Sequence, residues 1–218
     1  MKMKTTAAVM AIALMAGSIQ AQVISVNWHQ KDGGPEQKIE GSETFGVEAL
    51  GTVVGGWNNT SWKPWNIKWN DGSASMLEME VDLPSGKIGN NGQLADTPME
   101  LAVMHYDETP AGRPNFTVSG LKEDFPKGCK VIVYLTSRSE GWARQSTGSI
   151  SDGTTTYYFK PSGSPELVQA TATKEADAVV ASYAVFDNIT SDSITIALGP
   201  DGAGSGVGFG GFQIVGIE

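Results

Sequence analysis

The chain has only one cysteine, Cys129, among its 218 residues, so it cannot form an intramolecular disulfide. Small exported domains often depend on disulfides, which means that a hydrophobic core must hold this fold together. Cys129 opens the run C-K-V-I-V-Y-L-T, where alternate residues form one apolar face. We expect a buried, unreactive thiol there, because free cysteine is among the most frequently buried residue types.

Basic residues are scarce: 15 lysines and arginines face 24 aspartates and glutamates, which gives a net charge of −9. The basic residues form no cluster. Nucleic acids and anionic lipids attract clustered lysine and arginine, so we expect neither as a partner. Histidine is scarcer still, and neither His29 nor His105 has the spacing of a metal-binding motif. The sequence therefore predicts no metal ligands among its histidines and no cofactor.

Long hydrophobic runs are absent except near the N-terminus. Two lysines precede an apolar stretch at residues 7–17, and Ser18 and Ala21 are small residues at the positions that a signal peptidase recognises. The stretch is shorter than the ~20 residues that a membrane-spanning helix needs. We therefore expect residues 1–21 to be a signal peptide cleaved after Ala21. The rest, 22–218, should be a single domain, secreted or periplasmic, monomeric and not inserted in a membrane.

Alternation of apolar and polar residues recurs along the chain, whereas helical periodicity is almost absent. Most of the 27 glycines and 10 prolines lie in turn clusters between the alternating segments. The sequence predicts an all-β fold, a two-sheet antiparallel jelly-roll sandwich. A short helix is predicted within 166–178, and the first and last strands are expected to be neighbours in one sheet. Strands are predicted at residues 23–28, 45–49, 75–83, 99–106, 115–121, 130–136, 154–160, 179–187, 193–198 and 208–217.

Four of the six tryptophans are concentrated in the segment W-N-N-T-S-W-K-P-W-N-I-K-W. Aromatic rings on a loop of an exported protein are typical of a sugar-binding surface, because flat aromatic rings stack on the apolar faces of pyranoses. The same rings could instead fold down as a cover over the core, and the sequence leaves both possibilities open. The candidate ligand-binding residues are Trp57, Trp62, Trp65 and Trp69 for stacking, with Asn58 and Asn59 for hydrogen bonding.

A row of carboxylates is the only feature that suggests catalysis. In M-L-E-M-E-V-D-L, Glu78, Glu80 and Asp82 share one strand face, opposite apolar residues. The row partly resembles the acidic motif of jelly-roll glycosidases, in which two carboxyls act as nucleophile and acid/base. It is also what a charged, solvent-exposed edge strand looks like, and this is the interpretation we favour. We therefore expect no enzymatic activity, with a glycosidase using these three residues as the alternative.

The order of several short motifs resembles a known group of secreted proteins. These motifs are V-I-S-V-N-W, G-W-N-N and T-P-M-E-L-A-V-M-H-Y-D, followed by S-Y-A-V-F-D-N-I-T and the terminal G-F-G-G-F-Q-I-V. Together they look like the secreted jelly-roll proteins of planctomycetes and verrucomicrobia. The resemblance implies a fold similar to galactose-binding-like carbohydrate-binding modules. Many of those proteins carry a C-terminal sorting anchor, which this sequence does not show.

These observations lead to one functional expectation with two alternatives. We expect an exported, non-catalytic module associated with a polysaccharide or another glycan. A structural or adhesive envelope protein without a ligand is the first alternative, and the glycosidase is the second. Analogy with other jelly rolls also suggests a structural calcium, held by acidic turns such as those at Asp32 and Asp201.

Overall fold

The computed structural model describes residues 22–28, 56–60, 66–82, 86–89, 103–106, 115–137, 147–161, 166–200 and 207–217. Strands dominate these ranges and form two sheets that pack as a sandwich, so the all-β prediction is confirmed. The larger sheet contains β1 (Val23–Trp28), β2 (Trp57–Thr60), β4 (Gly86–Gly89), β5 (Val103–Tyr106), β7 (Cys129–Ser137), β11 (Tyr183–Ile189) and β13 (Val207–Gly216). The smaller sheet contains β3 (Glu78–Asp82), β6 (Asn115–Ser119), β8 (Gly148–Ser151), β9 (Thr156–Pro161), β10 (Val179–Ala181) and β12 (Ser193–Pro200).

The two ends of the described chain meet in the larger sheet, whose main strand order is β11-β7-β13-β1-β2. Strand β1 pairs antiparallel with β13, with Val23 opposite Val215 and Asn27 opposite Gly211. Both strands are rich in apolar residues. Because both faces of β1 are buried, its backbone amides and carbonyls need hydrogen-bond partners, which a neighbouring strand supplies. The prediction that the first and last strands are neighbours is therefore confirmed.

The smaller sheet has the order β10-β9-β8-β12-β6-β3, which leaves β3 and β10 at its two ends. Its long central strand β12 pairs antiparallel with β6 on one side and with β8 on the other. Ile194, Ile196 and Leu198 alternate toward the interior, as a period of two requires. The alternation predicted for this part of the chain is confirmed.

The core lies between the two sheets and is rich in aromatic rings. Trp28 is fully buried, with its ring centroid 5.3 Å from that of Phe116 in an edge-on arrangement. Phe116 in turn stacks on Phe212 at 5.0 Å. Such pairs add about 0.5–1.5 kcal/mol beyond the burial of their area. Cys129 and Val131 lie in the same core, so the predicted inward face of the C-K-V-I-V strand is confirmed.

The wholly antiparallel arrangement predicted from the sequence is wrong in two places. Strand β2 runs parallel to β1, and β10 runs parallel to β9. A parallel neighbour requires a crossing connection, which alternation of residues in a sequence does not reveal. The structure also has strands β2, β4 and β8, which the sequence analysis did not predict. The predicted strand at 45–49 lies outside the described residues.

The helix predicted within 166–178 is also wrong. This segment contains only a single turn of 3-10 helix, Glu175–Asp177, and isolated bridges at Gln169 and Ala172. Ser182 holds its first part in place, because the Ser182 hydroxyl accepts a hydrogen bond from the Val168 amide at 2.9 Å. Hydrogen bonds of this kind satisfy backbone groups that would otherwise pair within a helix, so they compete with helix formation.

One short α-helix, α1 (Leu121–Asp124), follows β6. The Leu121 amide donates to the carbonyl oxygen of Asp192 at 3.0 Å, and the Lys122 amide donates to the Asp192 carboxylate at 3.2 Å. These bonds satisfy two amides that a helix start leaves without an internal partner. No helix in the described ranges is long and apolar enough to cross a membrane.

Candidate functional site

Strand β2 holds the first part of the tryptophan segment against the edge of the larger sheet. It pairs in parallel with β1, with Ser25 opposite Trp57 and Asn27 opposite Asn59. The sequence W-N-N-T contains no alternation of apolar residues, so sequence analysis could not detect this strand. Backbone hydrogen bonds to β1 give this segment its strand conformation. Both faces of β1 are buried, and this burial fixes the position of the sheet edge that β2 joins.

The indole of Trp57 belongs to the body of the protein. It is 5 % exposed and lies on the face of the larger sheet that points away from the sandwich core. Its ring centroid is 6.4 Å from that of Tyr134. Val23 and Val215 belong to the same cluster. Stacking on a pyranose requires an open ring face, so the structure places Trp57 with the fold and not with the predicted stacking residues.

Asn58 connects two parts of the chain through its side-chain amide. Its Nδ2 donates to the carbonyl oxygens of Ser25 and Lys68, both at 2.9 Å. Its Oδ1 accepts a hydrogen bond of 2.8 Å from the Lys68 amide. These three bonds use both donors and one lone pair of the amide. Asn58, predicted as a hydrogen-bonding partner of a ligand, is thus engaged within the protein.

Asn59 is part of a row of polar side chains that crosses the outward face of the larger sheet. Asn27 donates from Nδ2 to Oδ1 of Asn59 at 3.0 Å. On the neighbouring strands, Tyr134 donates to Oε1 of Gln213 at 2.6 Å, and Gln213 donates from Nε2 to Ser25 at 3.0 Å. All but Asn59 are fully buried. Hydrogen bonding offsets the cost of burying such groups, which otherwise amounts to about 1–3 kcal/mol each.

Sequence patterns alone do not reveal this polar row as a unit. In the sequence, the row corresponds to polar residues that alternate with apolar ones, as in V-I-S-V-N-W and F-Q-I-V. Such residues normally face water, and nothing in the sequence showed that Ser25, Asn27 and Gln213 would be buried. The meeting of the three strands depends on the topology.

Trp69 lies at the far end of the tryptophan segment and is half-buried. Its ring centroid is 5.0 Å from that of Phe125. The Trp69 amide donates to the Ser73 carbonyl at 2.9 Å, and the next amide, that of Asn70, donates to Val23 at 2.9 Å. The chain is therefore fixed to the sheet on this side as well. Trp62 and Trp65 lie outside the described residues.

Two aspartates stabilise the segment that follows. Asp71 accepts hydrogen bonds from the hydroxyl of Ser73 at 2.6 Å and from its amide at 2.8 Å, and these bonds lower the pKa of Asp71. Asp124 of α1 accepts a bond of 2.9 Å from the Met76 amide. Partial burial raises the pKa of Asp124. Asp71 thus supports a local turn, and Asp124 connects α1 to the chain before β3, so both carboxylates have a role in the fold.

The carboxylates of β3 line the outward face of a terminal strand. Glu78, Glu80 and Asp82 are exposed, whereas Met79 is buried between them, so the predicted alternation is confirmed. They face Ser119, Thr117 and Asn115 of β6. A retaining glycosidase needs one carboxyl that stays protonated near neutral pH, a state that burial or a neighbouring charge produces. The exposed positions of these residues supply no such burial.

Cys129 is fully buried at the start of β7. Burial raises the pKa of its thiol to about 12. A nucleophilic cysteine requires a thiolate near neutral pH, which an electropositive and accessible setting provides. The expectation of a buried thiol is therefore confirmed.

Metal binding finds no support in the part of the chain that the structure describes. Within it, no three or more histidine, cysteine, aspartate or glutamate side chains come together as a metal site. His105 lies on β5, opposite Gly208 of β13. His29, Asp32 and Asp201 lie outside the described ranges, so the suggested calcium stays a prediction.

Comparison with known proteins adds no relative: no protein family, curated protein or solved structure matches this chain.

Proposed function

We propose that the chain is an exported, non-catalytic module that binds a polysaccharide or another glycan, with Trp62 and Trp65 stacking on its sugar rings. The proposal combines the sandwich fold with the aromatic segment that connects β2 to residues 66–77. Aromatic side chains give large, rigid contact areas with little loss of conformational entropy, which favours their use in recognition.

The observation that carries this proposal is the anchoring of the segment at both ends. Trp57 is buried on one side and Trp69 packs on Phe125 on the other. The two outer indoles therefore already attach the segment to the body of the protein. The proposal therefore assigns contact with a ligand to the other two tryptophans of the segment, Trp62 and Trp65.

A structural or adhesive envelope protein without a ligand is the second candidate function. This alternative predicts that all four indoles serve the fold, and the burial of Trp57 favours it. The packing of Trp69 on Phe125 points in the same direction. The two candidate functions differ in what they predict for Trp62 and Trp65.

The glycosidase alternative has the least support. Glu78, Glu80 and Asp82 are exposed on the outward face of β3, and their neighbours on β6 are Ser119, Thr117 and Asn115. No aromatic residue occupies these facing positions, whereas glycosidases hold the sugar in a cleft beside their carboxyls.

The proposal also covers the type of fold, the processing and the location of the protein. They include the jelly-roll arrangement of the planctomycete and verrucomicrobial type, removal of residues 1–21, and a secreted or periplasmic location. The protein would act as a monomer without a cofactor, and fold analogy adds a structural calcium to the proposal. Its negative charge disfavours nucleic acid as a partner.

A glycan array tests the proposal. We expect the wild-type protein to bind a restricted group of saccharides, and Trp62→Ala and Trp65→Ala to lose this signal. Trp69→Phe is the matched control, because phenylalanine retains a ring against Phe125 and should leave binding intact. Equal or absent signals across all saccharides for the folded wild-type protein would favour the structural alternative.

A further inference from the structure

We infer that Asn58 is a positioning residue: it fixes the register of β2 and joins this strand to Lys68, on the far side of the chain segment that contains Trp62 and Trp65. The inference rests on the proposed function and deepens it, because it assigns Asn58 to the support of the binding segment and not to contact with the glycan.

The side-chain pair of Asn27 and Asn59 does not by itself determine the register in which β2 aligns with β1. In the structure Asn59 faces Asn27, and Trp57 faces Ser25. A shift of one residue would place Asn58 opposite Asn27 and would still allow an amide pair. The same shift would move Trp57 to the other face of the sheet, since successive side chains of a strand point to opposite faces.

Asn58 removes this ambiguity because its side chain has three partners in the observed register. Its Nδ2 reaches the Ser25 carbonyl at 2.9 Å, which ties β2 to β1. The same amide pairs with both backbone groups of Lys68, at 2.8 and 2.9 Å. In the shifted register, the side chain would point to the opposite face of the sheet and would lose all three bonds.

The pair of bonds to Lys68 also joins two points of the chain that lie on either side of Trp62 and Trp65. Asn58 and Lys68 are separated by ten positions in the sequence. Joining the ends of a loop in the free protein removes conformational freedom that binding would otherwise have to remove. A ligand contact from Asn58 would require breaking one of its present bonds, so a positioning role fits its geometry better.

Hydrogen exchange combined with ligand binding tests the inference. Asn58→Ala removes the acceptor of the Lys68 amide, so this amide should exchange about tenfold faster, as expected for the loss of one hydrogen bond of ordinary strength. The Val133 amide in the central strand β7 should keep its rate. Titration with the polysaccharide identified on the array should show a Kd about tenfold higher, with unchanged stoichiometry.

A second variant separates loop closure from the other bonds. Asn58→Asp keeps an acceptor for the Lys68 amide but loses the donors to Ser25 and Lys68. We expect protection of the Lys68 amide to be largely retained and the affinity to fall. Asn188→Asp introduces the same charge at an exposed position of β11 and should change neither quantity. Asn58→Asp also provides the test if Asn58→Ala does not fold.

The outcomes are distinct for the inference and for the proposed function. Unchanged exchange of the Lys68 amide in Asn58→Ala would overturn the inference. So would an unchanged Kd in spite of faster exchange. Absence of binding by the wild-type protein would contradict the proposed function instead, and exchange at Lys68 alone would then decide whether Asn58 holds the segment.

Discussion

Tyr134 donates a hydrogen bond of 2.6 Å from its hydroxyl to Oε1 of Gln213, and both side chains are fully buried on the outward face of the larger sheet. The bond joins β7 to β13. Through Gln213 and Ser25 it continues to β1, the strand that carries β2 at its edge. The position of the tryptophan segment thus depends on a polar connection across the strands that bring together distant parts of the chain.

Tyr134→Phe should lower the free energy of unfolding by about 1–3 kcal/mol, because it removes the donor to Gln213 at a fully buried position. The ring and its contact with Trp57 would remain.

Urea denaturation measures the change in the free energy of unfolding. Tyr158→Phe is the control, since Tyr158 is half-buried on the smaller sheet, and it should change stability by less than about 0.5 kcal/mol. Equal effects of the two variants would contradict a stabilising role for the buried bond.

Gly120→Ala should destabilise the protein by more than the cost of its backbone conformation. Gly120 has φ of +81°, and a β-carbon there would lie 2.6 Å from the Met76 carbonyl oxygen. The left-handed conformation alone costs about 1–2 kcal/mol for a residue with a side chain.

Gly153→Ala isolates that conformational cost, because Gly153 has φ of +86° and no atom within 4 Å of the β-carbon position. Thermal or urea unfolding of the two variants gives the comparison. A loss for Gly120→Ala no larger than that for Gly153→Ala would show that the close approach of Met76 has no energetic effect.

Ionisation of Cys129 should make the protein less stable at alkaline pH. Burial raises the pKa of the thiol to about 12 in the folded state, so only the unfolded chain loses this proton between the ordinary thiol pKa and that value. Stability that is fully present below about pH 8.5 is lost as the pH rises, by up to about 1.4 kcal/mol per pH unit.

Urea unfolding between pH 8 and 11, on wild type and Cys129→Ala, measures this contribution as the difference between the two pH profiles. Other groups that titrate in this range are common to both proteins and cancel. Parallel profiles would mean that the thiol ionises in the folded state as readily as in the unfolded one.

Charges on β3 should keep the end of the smaller sheet from pairing with another molecule. Within the described residues, β3 pairs only with β6 and has a free edge. Glu80→Val, which makes this strand more apolar, should increase concentration-dependent association in analytical ultracentrifugation. Thr195→Val is the control, because Thr195 lies on the same outward face but on the interior strand β12. Monomeric behaviour of both variants would show that the carboxylates do not protect the edge.

Sequence patterns predicted the parts of the fold that depend on local alternation. The bounds of β1, the inward face of β7 and the exposed carboxylates of β3 all follow from a period of two. Strand β2 and the role of Asn58 could not be predicted in this way, since both depend on which strand lies beside residues 57–60. Burial of Trp57 has the same origin: it results from its position opposite Ser25 and near Tyr134, which topology determines.

Binding of a polysaccharide, measured by isothermal titration calorimetry, tests the central claim most directly. The wild-type protein should bind the saccharide selected on the array, and the double variant Trp62→Ala/Trp65→Ala should lose at least about tenfold in affinity, because each indole contributes stacking that alanine cannot replace. Tyr158→Ala, a change of an aromatic residue on the other sheet, should bind like wild type. Equal affinity of the double variant and the wild type, with both proteins folded, would contradict the account.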